Sequence, residues 1–410
     1  MCSLFVLPGR YLFEMRMLCL LSGTPCNEAL SGEGLVKKER LEMERQEVID
    51  QTAFTLENDM CRLRILTYGA TLQEFSIQDE GWKNLILSYD TVEEYMTDTY
   101  YLGATVGRVA GRIEDGTFDM DGVTYHLPQN EGKHHLHGGD GLHCRFWKVE
   151  DVSNTHLILR YVSPDGENGY MGALDIRASF VLLKDGVKIT YQATSDTDTV
   201  VDMTNHTYFN LSSGNRDVLQ HELTLPANQF AELRNDLIPT GRLLDVDQTP
   251  FDFRSGRMLG DGPASSHPQN QLVNGYDHPF VFDDQRKATL YDPESKRSLM
   301  LSTTAPALVL YSGNQMNEET MLREGRSRKY YGVCLEPQHL PDAVHHSNFP
   351  SIQLSEGQTY HWETEYRVGK GVSRCTSNRY KSRLPHVFVE IHTIRFRLSK
   401  SMPRKRCGNR

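Results

Sequence analysis

The chain has 410 residues, 38% hydrophobic and 24% charged, an ordinary balance for a globular protein. Its net charge of −10 is uneven: from Lys370 onward twelve Lys/Arg stand against one acidic residue, Glu390, so the first 369 residues carry −21, a body too acidic to bind nucleic acid through its phosphates. Of eight cysteines only Cys61, Cys144 and Cys334 lie between residues 46 and 368, and no CxxC pair occurs, which points to a reducing compartment and argues against a disulfide scaffold or a zinc site.

Residues 1–45 hold a short apolar run, Met17 to Leu21, preceded by Arg10, Glu14 and Arg16. A secretion signal needs an apolar region of ~7–15 residues without an acid before it, so this segment reads as a disordered leader. Leu35 to Val48 is rich in Lys, Glu and Arg and is expected to form a short surface helix.

From Ala53 the texture changes to alternation and turns. Arg62 to Leu66, His156 to Val162 and Val187 to Ala193 read as strands, with turns at Asp121-Gly122, Asp165-Gly166 and Asp185-Gly186. Helical periodicity is confined to a turn or two at Thr91–Met96. The length alone admits two or three domains, but large all-β folds run long as one. Many short strands with frequent turns predict an all-β fold, a large antiparallel many-stranded β-sandwich. No clean boundary falls within 46–368, which is read as one domain. Residues 369–410 are basic and mostly polar, and read as a disordered, solvated tail. Arg404-Lys405-Arg406 is a short, common kind of basic cluster, and no nucleic-acid or membrane partner is expected.

Within the domain, residues 200–211 concentrate polar groups. Read as one strand, the segment places Val201, Met203, Phe209 and Leu211 on a core face. Asp202, Thr204, His206, Tyr208 and Asn210 share the other face, as solvent-facing residues or as the lining of a cleft for a polar ligand. A histidine titrates near neutrality and can give or take a proton there. Thr204 to Leu211, TNHTYFNL, resembles the TNHxYFNL signature of galactose mutarotases, the aldose 1-epimerases. Gly107 to Ile113, Leu136 to Gly139, Ser163 to Tyr170, Asn274 to His278 and Cys334 to Glu336 resemble further blocks of that family, in family order. The resemblance spans roughly residues 46–368 and implies a wide β-sandwich with a sugar cleft on one sheet.

It also implies a reaction made of proton transfers, with no cofactor and no metal. Glu336 matches the base that takes the proton of the anomeric hydroxyl, and His206 the acid that protonates the ring oxygen. Arg112, His137, Tyr208 and Asp277 match sugar-binding positions. Each residue has a plainer alternative. Glu336 sits where a strand is expected to end, Arg112 suits a surface ion pair, and Asp277 suits a turn. His135 and His137 form a His-x-His pair that would suit a metal, but Gly138 and Gly139 follow instead of a further acidic ligand. His134, His135 and His143 are read as surface residues.

Two positions depart from the animal-type pattern. Gly111 stands where an asparagine is usual and Val309 where a glutamine is usual, so two amides near the sugar are lost. The sequence therefore points to an epimerase acting on free hexoses such as galactose and glucose, as a cytoplasmic monomer. Its rivals are a weak sugar-binding sensor on the same fold and a hexose-phosphate mutarotase, which would need basic residues beyond Arg112 and Arg108.

Overall fold

The computed structural model describes residues 52–371. The expected leader, the helix at Leu35–Val48 and the tail beyond Gly371 lie outside the described residues. Three antiparallel sheets dominate what is described. The largest has nine strands, and its middle runs His156–Ser163, Leu174–Leu183, Gly186–Ser195, Thr359–Lys370, Arg297–Thr303 and Lys287–Asp292. Alternation builds it: along Leu174–Leu183, residues Leu174, Ile176, Ala178, Phe180 and Leu182 are buried and the residues between them are half-buried. The Asp121-Gly122 turn has positive φ at both residues and joins Thr117–Met120 to Val123–His126, the geometry that matches strand twist.

A six-stranded sheet packs against this core. Its order is Tyr208–Phe209, Val333–Gln338, Ala307–Tyr311, Asp277–Phe282, Ala227–Leu233 and Pro239–Asp245. Period-two alternation divides its residues between two faces. Leu335, Leu308, Leu310 and Phe280 enter the main hydrophobic core. On the opposite face Glu336 and Gln338, Val309 and Tyr311, and Asp277 and Pro279 line a cleft. The pairings Val309↔Glu336 and Tyr311↔Asp277 set these side chains beside one another.

The segment 200–211 differs from the expected single strand. Short pairings at Thr199–Val200, Thr204–Asn205 and Tyr208–Phe209 go to three different partners. The chain therefore turns between them, and its polar residues do not form one row. Asp202 accepts from the His339 backbone N–H and the Trp362 indole, and Asn210 donates to the Arg216 and Tyr331 carbonyls. The helical turn expected at Thr91–Met96 is a short helix, Val92–Tyr95, with Glu94 accepting from the Thr91 backbone N–H. No helix among the described residues is long and apolar enough to cross a membrane.

Candidate active site

The cleft has a volume of about 250 Å³. Glu336 stands in its floor, 2% exposed, within Val333–Gln338. The strand does not end at Glu336, as the following proline suggests, but continues through Pro337 to Gln338. Burial pushes the Glu336 carboxyl well above the usual carboxylate range; Asp277 adds to the rise, and the Arg112 guanidinium opposes it.

His206 faces Glu336, with its Nε2 at 3.7 Å from Glu336 Oε1. Its backbone is pinned on both sides, donating to the Ala104 carbonyl and accepting from the Gly103 N–H. Nδ1 lies 3.5 Å from Cys334 Sγ. Burial, first, and the Glu336 carboxyl hold the Cys334 thiol protonated, well above its usual value. Burial lowers the imidazole to about 4, so it is neutral in the sugar-free cleft.

His137 approaches from a left-handed backbone position, its Nδ1 accepting from the Gly111 N–H at 3.2 Å. That bond leaves Nε2–H as the donor. Gly138 makes the turn possible, because a Cβ there would meet the Gly107 carbonyl oxygen at 2.0 Å. Arg112 is gripped by Glu131 through Nε at 2.6 Å and Nη2 at 2.8 Å, and its Nη1 lies 4.0 Å from Asp277 Oδ2. The ion pair and the cleft position thus coexist, and the pair fixes the fork. Asp277 is not the turn residue: Asn274, in the left-handed region, closes the helix Pro268–Val273, and Asp277 begins the next strand. Tyr208 tilts against His206 at 5.1 Å between ring centroids.

All six expected site residues, Glu336, His206, Arg112, His137, Tyr208 and Asp277, therefore line one cleft. Others do not join them. Arg108 is buried against the Met171 and Gly172 carbonyls and Ser163. His134 and His135 are buried rather than on the surface, bonded to the Asp115 N–H and the Pro128 carbonyl; His143 is half-buried, its ring against Tyr101. With His135 turned to Pro128 and His137 to Gly111, the His-x-His pair does not converge on one ion. Tyr311 joins the six in the cleft, and residues with no signal in the sequence complete the wall: Glu131, Gln338 and Tyr101, whose ring packs 4.9 Å from that of His137.

Among the described residues, two groups of side chains have metal-ligand spacing. In His206, Cys334 and Glu336 the ligand atoms lie within 4.8 Å of one another, and His206 Nδ1 already contacts Cys334 Sγ at 3.5 Å. Glu114, Asp342 and His345 form the second group, and there Arg234 already pairs with Glu114 at 2.6 Å and His345 with Asp342 at 2.7 Å.

The aldose 1-epimerase family model matches residues 52–367. A galactose mutarotase from Bos taurus is 36% identical over 323 residues, 77% of this chain and 93% of that protein. An aldose 1-epimerase from Haemophilus influenzae is 34% identical, covering 76% and 94%. The crystal structure of a galactose 1-epimerase from Lactobacillus acidophilus is similar with a TM-score of 0.71 at 32% identity, covering 78% of this chain and 95% of that one.

Proposed function

The chain belongs to the aldose 1-epimerase family, and from that premise we propose that it interconverts the α- and β-anomers of free hexoses, galactose and glucose first, with Glu336 as base and His206 as acid. The observation that carries this reading is the buried His206–Glu336 pair at 3.7 Å, in a cleft floor that also presents Arg112 and Asp277.

Ring opening needs the anomeric hydroxyl to lose a proton while the ring oxygen gains one. With the carboxyl raised by burial and the imidazole lowered to about 4, the pair holds one exchangeable proton at pH values between the two. In the sugar-free cleft that proton sits on Glu336. A bound sugar whose hydroxyls donate to the carboxyl favours its ionised form, and the proton then lies on His206. Glu336 takes the anomeric proton and His206 Nε2 gives its own to the ring oxygen. The open aldehyde rotates about C1–C2, and reclosure by the reverse transfers yields the other anomer. Acid–base catalysis contributes ~10²–10⁴-fold; Arg112, held by Glu131, together with His137, Asp277 and Tyr208, supplies positioning. The steps are proton transfers alone, so the reading includes no cofactor and no metal.

Arg112 is the sole Arg or Lys among the residues lining the cleft, and two carboxylates already face it. A sugar phosphate would therefore meet Glu131 and Asp277 with little cationic compensation, which favours free hexoses. An assembled acid–base pair favours turnover over a purely sugar-binding role. The site draws on residues from Thr99 to Pro341 of one chain, so the activity is assigned to the 46–368 domain, acting as a monomer. The free cysteines Cys61, Cys144 and Cys334 suit a cytoplasmic setting, with no nucleic-acid or membrane partner. Polarimetry on freshly dissolved α-D-galactose tests the reading. The protein speeds the approach to equilibrium, equally with and without chelator, and glucose 6-phosphate is turned over poorly. Loss of the rate in chelator, restored by a divalent ion, would overturn the metal-free mechanism.

A further inference from the structure

We propose that Gln338 is a sugar-binding residue of this cleft and that, with Gly111 and Val309 beside it, it selects the hydroxyl pattern the cleft accepts. The proposal rests on the hexose reading above.

Gln338 ends the strand that carries Glu336, two residues on and therefore on the same face. It lines the cleft and is 1% exposed, yet neither atom of its amide makes a hydrogen bond with the described residues. Its strand partner is Ala307, which offers nothing polar. Oε1 is the atom wholly shielded, so Nε2 is the one on the cleft side, and a half-turn of the terminal torsion presents the oxygen there instead. A buried amide without partners is costly to leave unmade, and such groups in native proteins call for an explanation. A ligand hydroxyl, which both donates and accepts, pairs with whichever amide atom faces the cleft.

The neighbours make this amide matter. The Cβ that Gly111 lacks would lie 3.5 Å from Gln338 Nε2 and 2.9 Å from Pro341 Cβ and Cγ, at a φ of +77°. Glycine there keeps the approach to Nε2 open and supplies no side-chain donor of its own. Val309, paired with Glu336 on the adjoining strand, adds only an apolar wall. Of residues 111, 309 and 338, Gln338 alone offers hydrogen-bonding groups from its side chain. A site built to bond a hydroxyl discriminates against the sugar that lacks it, because the protein group is then left unpaired.

The test is Gln338→Met, a near-isostere without the amide, with Gln338→Ala in parallel in case methionine does not fit. Mutarotation kinetics on galactose and its monodeoxy derivatives are measured together with the melting temperature. Both variants are expected to raise KM about three- to tenfold, the loss of one neutral hydrogen bond, with kcat within about twofold. In Gln338→Met the Tm stays equal or rises, since no protein partner is lost. One deoxy sugar should show the raised KM with the wild type and no further rise with the variants. An active wild type with KM unchanged in both variants overturns this proposal alone, as does a Tm that falls while KM stays fixed. A wild type that neither binds hexoses nor speeds mutarotation overturns the hexose reading, and this proposal with it.

Discussion

His206 Nε2 lies 3.7 Å from Glu336 Oε1, and both side chains are almost wholly withdrawn from water. Burial works on the two in complementary ways, raising the carboxyl and lowering the imidazole, because in each it penalises the charged form. The pair is therefore neutral when the cleft is empty, and holds the single proton that anomer exchange requires.

A bell-shaped pH profile of kcat/KM follows, since that quantity reports the free enzyme. On the acid side activity falls as His206 takes up a second proton near its value of about 4. On the alkaline side it falls as the pair loses its one proton, above the usual carboxylate value of 4.5. Initial rates from pH 3 to pH 10 decide it. A profile that rises through about 4.5 and then stays flat would show that Glu336 ionises freely.

Glu336→Gln should stabilise the protein at neutral pH. The folded state holds the Glu336 proton more tightly than the unfolded chain, so above the usual 4.5 it binds more protons. Stability then falls as pH rises toward the elevated folded value. Glutamine removes that loss, so the variant is more stable than the wild type at pH 7 and gains nothing below about pH 4. Urea titrations at both pH values measure the difference. Equal stability at pH 7 would mean that Glu336 carries no burial penalty.

Asp277→Asn and Glu131→Gln should act mainly on KM. Asp277 faces Arg112 at 4.0 Å, and Glu131 holds the same guanidinium through two hydrogen bonds. Hydrogen bonds to charged groups are worth ~1.5–3 kcal/mol, so KM rises by roughly ten- to a hundredfold, with a smaller change in kcat because ground and transition states lose alike. Steady-state kinetics with calorimetric binding separate the two. An equal fall in kcat and kcat/KM for Asp277→Asn would place it in the proton transfers instead.

The sandwich was legible because alternation survives in its long strands, and the cleft because TNHTYFNL and the other blocks are distinctive. What failed were inferences from local chemistry. Residues 200–211 alternate like one strand, but pairing with three different partners breaks the row, and only His206 and Tyr208 of the five polar residues reach the cleft. His134 and His135 look like surface groups in a polar segment, yet backbone partners at Asp115 and Pro128 let them be buried. Glu336 carried no sign in its own neighbourhood beyond the family resemblance. The roles of Glu131 and Gln338 depend on contacts across the fold, which neither spacing nor composition records.

The initial rate of α-D-galactose mutarotation, measured by polarimetry for wild type and Glu336→Gln at saturating sugar, tests the central assignment most directly. Glutamine keeps the size and one acceptor of the side chain but takes no proton at neutral pH. If Glu336 is the base, kcat falls by ~10²–10⁴-fold while the sugar affinity measured by calorimetry stays close to that of the wild type. A variant that keeps more than about a tenth of the wild-type kcat, a loss below the acid–base range, contradicts the assignment and turns attention to His137 as the proton acceptor.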